Sequence, residues 1–327
     1  MKLCLSLFYV LCCLGNILDA QQTYYETDLE ISKAVEGTLT MPDSLAIETP
    51  LVIFIMGSGP TNRDGNQAMM QNNTFRQLAH ELAQQNISSF RYDKRIFKMR
   101  ALGQQEQDLS FDHFVEDAKT VLYYFQDRYP NRQVTIVGHS QGALIGLLAA
   151  QYGADAYISI AGAAEPIDQV LLEQIKKQLP GLHENAKKAL AELRTTGRTT
   201  SYSPGLANIF RPTTQPFMRS WMQYDPVEEI KKLTESNMPI LIIQGDKDLQ
   251  VSKEQGELLY KAVPNATYAL VPNMNHVLKE IKGDDLENQK SYNESWRKVM
   301  PEVTESITDF VTQTVPQALE LMKEPTD

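Results

Sequence analysis

The sequence predicts an α/β fold: a mostly parallel central sheet with helices on both faces and an inserted helical cap. Three observations carry this prediction. Continuously apolar runs, such as residues 50–56 (P-L-V-I-F-I-M), read as parallel strands covered on both sides. Stretches of helical period separate these runs, as crossover connections require. One interval, residues 165–236, holds helical patterns but no buried strand, so it reads as an insertion.

The elements follow in chain order. Residues 1–20 combine Lys2, the apolar run 3–14 and a small residue, Ala20, at the end, which is the pattern of a secretory signal peptide. An exported protein, periplasmic or secreted, is expected; a retained N-terminal anchor is the alternative. Cys4, Cys12 and Cys13 all fall in this segment. The exported chain would therefore have neither disulfides nor thiol chemistry and would depend on packing. The apolar run is too short for a comfortable membrane span.

Residues 24–41 alternate loosely, break at Gly37 and read as two antiparallel strands at a sheet edge. The strand at 50–56 runs into Gly57-Ser58-Gly59-Pro60, a loop able to turn backbone N–H groups towards a ligand. Phe75, Leu78, Ala79 and Leu82 mark a helix over 75–85, and residues 88–92 a short strand. A polar, irregular loop over 93–108 precedes a helix at 112–129, whose apolar side carries Phe114, Ala118, Val121 and Phe125. Another buried strand is expected at 156–161. Within the insertion, helices are expected over 170–179 and 184–193, followed by a looser part containing Phe217 and Trp221. From Pro239 the alternation resumes with a strand at 240–244, a helix at 253–262, a strand at 267–271 and a final helix ending near residue 322. The chain thus divides into a first core part (21–164), a cap (165–236) and a second core part (237–327).

With 327 residues and 42% apolar content, the chain can bury a large core. The net charge of -10 and the lack of a basic cluster argue against a nucleic-acid partner.

The chemistry centres on residues 134–146, V-T-I-V-G-H-S-Q-G-A-L-I-G. An apolar strand enters Gly138, an apolar helix leaves Gly142, and Ser140 stands at the bend between them. A serine hydroxyl is a weak nucleophile until a base accepts its proton and donors receive the charge that builds on the attacked carbonyl. The G-x-S-x-G spacing serves that need. The two glycines let strand and helix approach, and the N–H of Gln141 points with the helix N-terminus towards the same place. A purely structural turn is the competing use of such a motif. The second donor is expected from the N–H of Ser58, with Gly59 close behind.

A base and an orienting carboxylate are needed as well. Asp248 stands in Gly245-Asp246-Lys247-Asp248-Leu249-Gln250-Val251 and His276 in Met274-Asn275-His276-Val277, each just past an expected strand. Parallel strands gather their carboxyl ends on one rim, where sites form. Asp246 sits nearer the strand end and is expected to brace the turn. His80, His113 and His183 lie in helical patterns, and His139 should turn away from the apex, so none of them competes with His276.

Together with Asn62-Arg63-Asp64-Gly65 and Arg91-Tyr92-Asp93-Lys94-Arg95, these motifs resemble those of the α/β-hydrolases. More narrowly, the chain resembles the EstD-type bacterial esterases and serine aminopeptidase-like hydrolases. The resemblance spans essentially the whole exported chain. It implies the α/β-hydrolase fold, an eight-stranded core, a helical insertion after the sixth strand, a Ser140–His276–Asp248 triad and carboxylic-ester hydrolysis. It also implies a small-molecule ester as partner and no metal or organic cofactor. Acyl thioesterase or aminopeptidase activity would use the same residues, whereas a non-catalytic binding protein on this fold would predict a damaged triad. One departure stands out: Ile96 follows Arg95, where such loops often carry glycine.

Overall fold

The computed structural model describes residues 24–43 and 49–321, with side chains as far as residue 313. The signal peptide expected over 1–20, with all three cysteines, lies outside these residues.

Eight strands form one sheet: β1 (Tyr24–Ser32), β2 (Val35–Pro42), β3 (Leu51–Ile55), β4 (Ser88–Tyr92), β5 (Val134–His139), β6 (Ala156–Ile160), β7 (Ile240–Gly245) and β8 (Thr267–Val271). Their spatial order is β1-β2-β4-β3-β5-β6-β7-β8. β1 and β2 pair antiparallel, as do β2 and β4, and every later pair is parallel. The order reverses around β3 and β5, so the loops leaving these two neighbours open at a switch point, where doubly wound sheets bind ligands.

Twelve α-helices complete the described chain. They are α1 (Thr74–Gln84), α2 (Met99–Leu102), α3 (Phe111–Arg128), α4 (Gln141–Ala150), α5 (Ile167–Gln178) and α6 (His183–Thr196). Then follow α7 (Ala207–Phe210), α8 (Gln215–Trp221), α9 (Pro226–Glu235), α10 (Lys253–Ala262), α11 (Asp285–Ser291) and α12 (Pro301–Leu321). The alternation along β3 shows how they are held. Leu51, Ile53 and Ile55 pack into a core with α3, α4, α9 and α10. Val52 and Phe54 face the other way, into a core with α1 and α12. A central strand with both faces covered must be apolar throughout, which is why 50–56 shows no alternation.

Between β6 and β7 the chain makes α5 to α9. Their residues Val170, Leu190, Leu193 and Phe210 form a small core of their own. Aromatic contacts seat this segment on the sheet layer. Trp221 stacks on Phe111 with ring centroids 5.4 Å apart, and Phe217 meets Phe114 edge-on at 5.7 Å. The Ser220 hydroxyl accepts from the backbone N–H of Phe111 at 2.7 Å, supplying the acceptor that the first turn of α3 lacks. Arg211 and Thr213 both reach Glu106, and Gln174 donates to the Gln250 carbonyl at 2.9 Å.

Candidate active site

Ser140 connects β5 directly to α4 with φ 55° and ψ -120°. A non-glycine residue holds such a backbone only when its surroundings over-determine it. Here two close approaches do so. A Cβ on Gly138 would lie 2.2 Å from the Gly142 carbonyl oxygen, and one on Gly142 would lie 2.1 Å from the Ile55 carbonyl oxygen. The strand therefore runs against the helix, and the helix against the end of β3, only because both positions lack side chains. The Ser140 N–H is taken by the Ile160 carbonyl at 2.9 Å, which fastens the bend to β6.

Asp248 and His276 come from the loops after β7 and β8. His276 Nδ1 lies 2.7 Å from Asp248 Oδ2, with side-chain exposures of only 5% and 1%. A carboxylate oxygen accepts, so the Nδ1 proton faces Asp248 and the lone pair remains on Nε2, the tautomer a general base needs. The other oxygen, Asp248 Oδ1, accepts from the N–H groups of Gln250 and Val251 at 2.7 and 2.9 Å. Asp246 instead accepts from the Asn273 N–H at 2.6 Å and ties the two loops together. Asn275, buried at 1% exposure, fastens the histidine loop. Its Oδ1 accepts from Val277 and Lys279, and its Nδ2 donates to Asn288 and Ser291.

The Ser140 hydroxyl makes no hydrogen bond to the imidazole, which bonds Asp248. In unliganded sites such contacts are often long and tighten with substrate. The two loops are nevertheless neighbours, and His139 joins them. Expected to turn away from the apex, it lies with its ring 4.8 Å from that of His276 and its Nε2 2.7 Å from the His276 carbonyl oxygen. A carbonyl only accepts, so the His139 proton sits on Nε2. Burial, reinforced by the charge His276 can carry, pushes the His139 imidazole down to about 3.

The loop after β3 closes the other side. Gly57 approaches the elbow so closely that a Cβ there would be 3.3 Å from Ser140 Cβ. The N–H groups of Ser58 and Gln141 have no acceptor among the described residues. Asn62-Arg63-Asp64-Gly65 and Arg91 to Arg95 brace this loop. Asn62 Oδ1 accepts from the N–H groups of Asp64 and Asn66. Arg63 pairs with Asp28, Glu36 and Asp93, while Arg91 pairs with Asp64 and Glu26. Lys94 donates to the Gly57 carbonyl and to Gln141 Oε1, each at 2.8 Å, and its ammonium lies 5.0 Å from the Phe114 ring centroid. Among the described residues it has no carboxylate partner, and burial pushes the Lys94 ammonium down to about 7.

A cavity of about 520 Å³ is lined at once by Ser58, Ser140 and Gln141, with Lys94 among them and Phe217 and Trp221 from α8. Ile96, the residue that departs from the usual glycine, also lines it. Its two carboxylates are engaged, Glu106 with Arg211 and Thr213, and Glu165 with Gln255. The other histidines have local partners. His80 pairs with Glu26, His113 Nδ1 accepts from the Ser110 N–H, and His183 lies beside Glu184. Among the described residues, no group of three or more His, Cys, Asp or Glu could hold a metal ion.

The sequence assigns no site role to Lys94, Asn275 or Asn288, and it sets His139 aside. The available signal was weak: polar residues inside or beside the motifs that carry Ser140 and His276, at positions the fold makes buried.

Comparison with known proteins agrees with this architecture. Esterase EstD of Thermotoga maritima is 26% identical over 263 residues, covering 79% of this chain and 61% of EstD. The match thus spans less than two thirds of that relative's length. Est1E from Butyrivibrio proteoclasticus shares the fold, with a TM-score of 0.58 and 18% identity over 89% of this chain and 99% of Est1E. TT1662 from Thermus thermophilus does so with a TM-score of 0.52 and 11% identity over 89% and 98% of the two chains. A family model described as serine aminopeptidase, S33, matches residues 69–280, which include Ser140, Asp248 and His276. The chain has the α/β-hydrolase fold and belongs to the serine aminopeptidase S33 family.

Proposed function

We propose that this protein is a serine esterase that cleaves carboxylic esters of small to medium acyl groups through an acyl-enzyme intermediate. The observation that carries the reading is one cavity lined jointly by Ser140 and by Ser58 and Gln141, whose backbone N–H groups have no acceptor among the described residues. In the proposed reaction, His276 Nε2 takes the Ser140 proton as Oγ attacks the ester carbonyl. The Ser58 and Gln141 amides receive the oxyanion, and Asp248 holds the imidazole tautomer and offsets its charge. The carbonyl re-forms, His276 gives the proton to the departing alcohol, and water repeats the sequence on the acyl-enzyme. The segment 165–236 acts as a cap, with Phe217 and Trp221 forming one wall of the acyl pocket.

Peptide chemistry is the second reading, because the family description names an aminopeptidase. An aminopeptidase needs an anionic group for the substrate ammonium. Of the two cavity carboxylates, Glu106 is already paired with the Arg211 guanidinium, which supports the ester, while Glu165 accepts from the neutral Gln255 amide. The test is turnover of p-nitrophenyl acetate to palmitate beside an aminoacyl p-nitroanilide. The purified chain should hydrolyse the shorter esters and not the anilide. Ser140→Ala should lower ester turnover by about 10³-fold or more. Preference for the anilide, or full activity in Ser140→Ala, defeats the reading.

A further inference from the structure

Lys94 takes no part in the reaction as proposed, yet its position is costly. A buried ammonium gives up its hydration, and a carboxylate partner usually compensates. Among the described residues no carboxylate lies within 4.0 Å of it: Asp93 is held by Arg63 and Asp117 by Arg95. Lys94, at 6% exposure, has two neutral acceptors instead, the Gly57 carbonyl and Gln141 Oε1.

Each acceptor is tied to one of the two amides that lack an acceptor among the described residues. The Gly57 carbonyl and the Ser58 N–H are the two ends of a single peptide group. That group is planar and trans, so fixing the direction of the carbonyl fixes that of the N–H opposite to it. A charge-assisted bond to the carbonyl also polarises the peptide and makes its N–H a stronger donor. The second acceptor is the side chain of Gln141, whose backbone N–H is the other proposed donor. The two donors arrive on separate loops, after β3 and after β5, and Lys94 reaches both from a third, after β4.

We propose that Lys94 is the positioning residue of the oxyanion hole, orienting the Ser58 amide through its peptide plane and tying that loop to Gln141. The inference rests on the esterase reading. It assigns to Lys94 an effect mainly on the charged tetrahedral state and little on ground-state binding, since both its bonds go to the groups that carry the two donors.

The test uses the full chain, p-nitrophenyl butyrate as substrate and an alkyl boronic acid as analogue of the tetrahedral state. Lys94→Met should lower kcat by about 30-fold with KM within about twofold, and weaken the boronate by a similar factor. Lys94→Arg, which keeps the charge and the donors, should recover most of that loss. Unchanged kcat and boronate affinity in a folded Lys94→Met overturns the proposal, as does a change confined to KM. Should Lys94→Met lack a cooperative thermal transition, Gln141→Leu removes one of the two tethers. It should lower kcat and boronate affinity together by about threefold to tenfold, and no change there overturns the proposal equally. A wild type without Ser140-dependent ester hydrolysis defeats the esterase reading and this inference with it. An active wild type matched by its Lys94 variants defeats this inference alone.

Discussion

Ser140, His139 and Lys94 show how much of this site is settled side chain by side chain. The strained backbone of Ser140 persists because glycine stands on both sides of it, where any Cβ would strike backbone. His139 titrates in a way that makes its burial measurable. Its folded pKa, pushed down to about 3, lies below the ordinary 6.5, so between these values the unfolded chain binds a proton that the folded chain refuses. Stability that is fully present above pH 6.5 is therefore lost as pH falls towards 3, by about 1.4 kcal/mol per pH unit for this one group. His139→Asn removes that proton. In urea unfolding followed from pH 6.5 to 4.5, its stability gap to wild type should narrow by about that slope; a constant gap would assign the acid sensitivity to other groups. Ser140, Asp248 and His276 could be singled out in the sequence because each stands at a strand's carboxyl end in a recognisable order. The contacts of Lys94 and His139 could not be read there, because their partners lie 37 to 137 residues away and are set by tertiary packing.

Most longer elements were legible from period, although α9 was not marked. The strands at 88–92 and 267–271 and the helix at 253–262 fall on the residues their patterns mark. α11 was not, because seven residues between polar loops give no readable period. Its start is fixed by Asp284, whose side chain accepts from the N–H groups of Leu286 and Glu287. This short helix matters to the proposed site. Asn288 donates to the Lys247 carbonyl at 2.7 Å and accepts from Asn275 at 3.0 Å, so it couples the loop of Asp248 to the loop of His276. Asn275→Ala would strand several buried partners, each costing about 1–3 kcal/mol if left unpaired. The expected result is a stability loss of about 2–4 kcal/mol in urea, with kcat falling more than KM rises. An unchanged denaturation midpoint would show that these bonds are replaced by others.

At the scale of the molecule, α5 to α9 lie between β6 and β7, and on the proposed reading they wall the site at the rim of the sheet. The absence of a strand between β6 and β7 was visible as an interruption of the strand–helix rhythm. The way the segment is seated was not, because stacking of Trp221 on Phe111 joins residues far apart in the chain. If the segment is the acyl wall, Trp221→Ala should affect long acyl groups most, since each buried methylene is worth about 0.8 kcal/mol. KM for p-nitrophenyl octanoate should rise about fivefold or more, while that for the acetate stays within about twofold. Equal effects on both esters would give Trp221 a packing role only.

The central claim is that Ser140 is the nucleophile and that His276 activates it. Covalent labelling with a fluorophosphonate, followed by intact-mass and peptide mass spectrometry, addresses it most directly. The account predicts one adduct per chain on Ser140, none in Ser140→Ala, and labelling slowed by about 10²-fold or more in His276→Ala. An adduct at another residue, or labelling of His276→Ala at the wild-type rate, would contradict it.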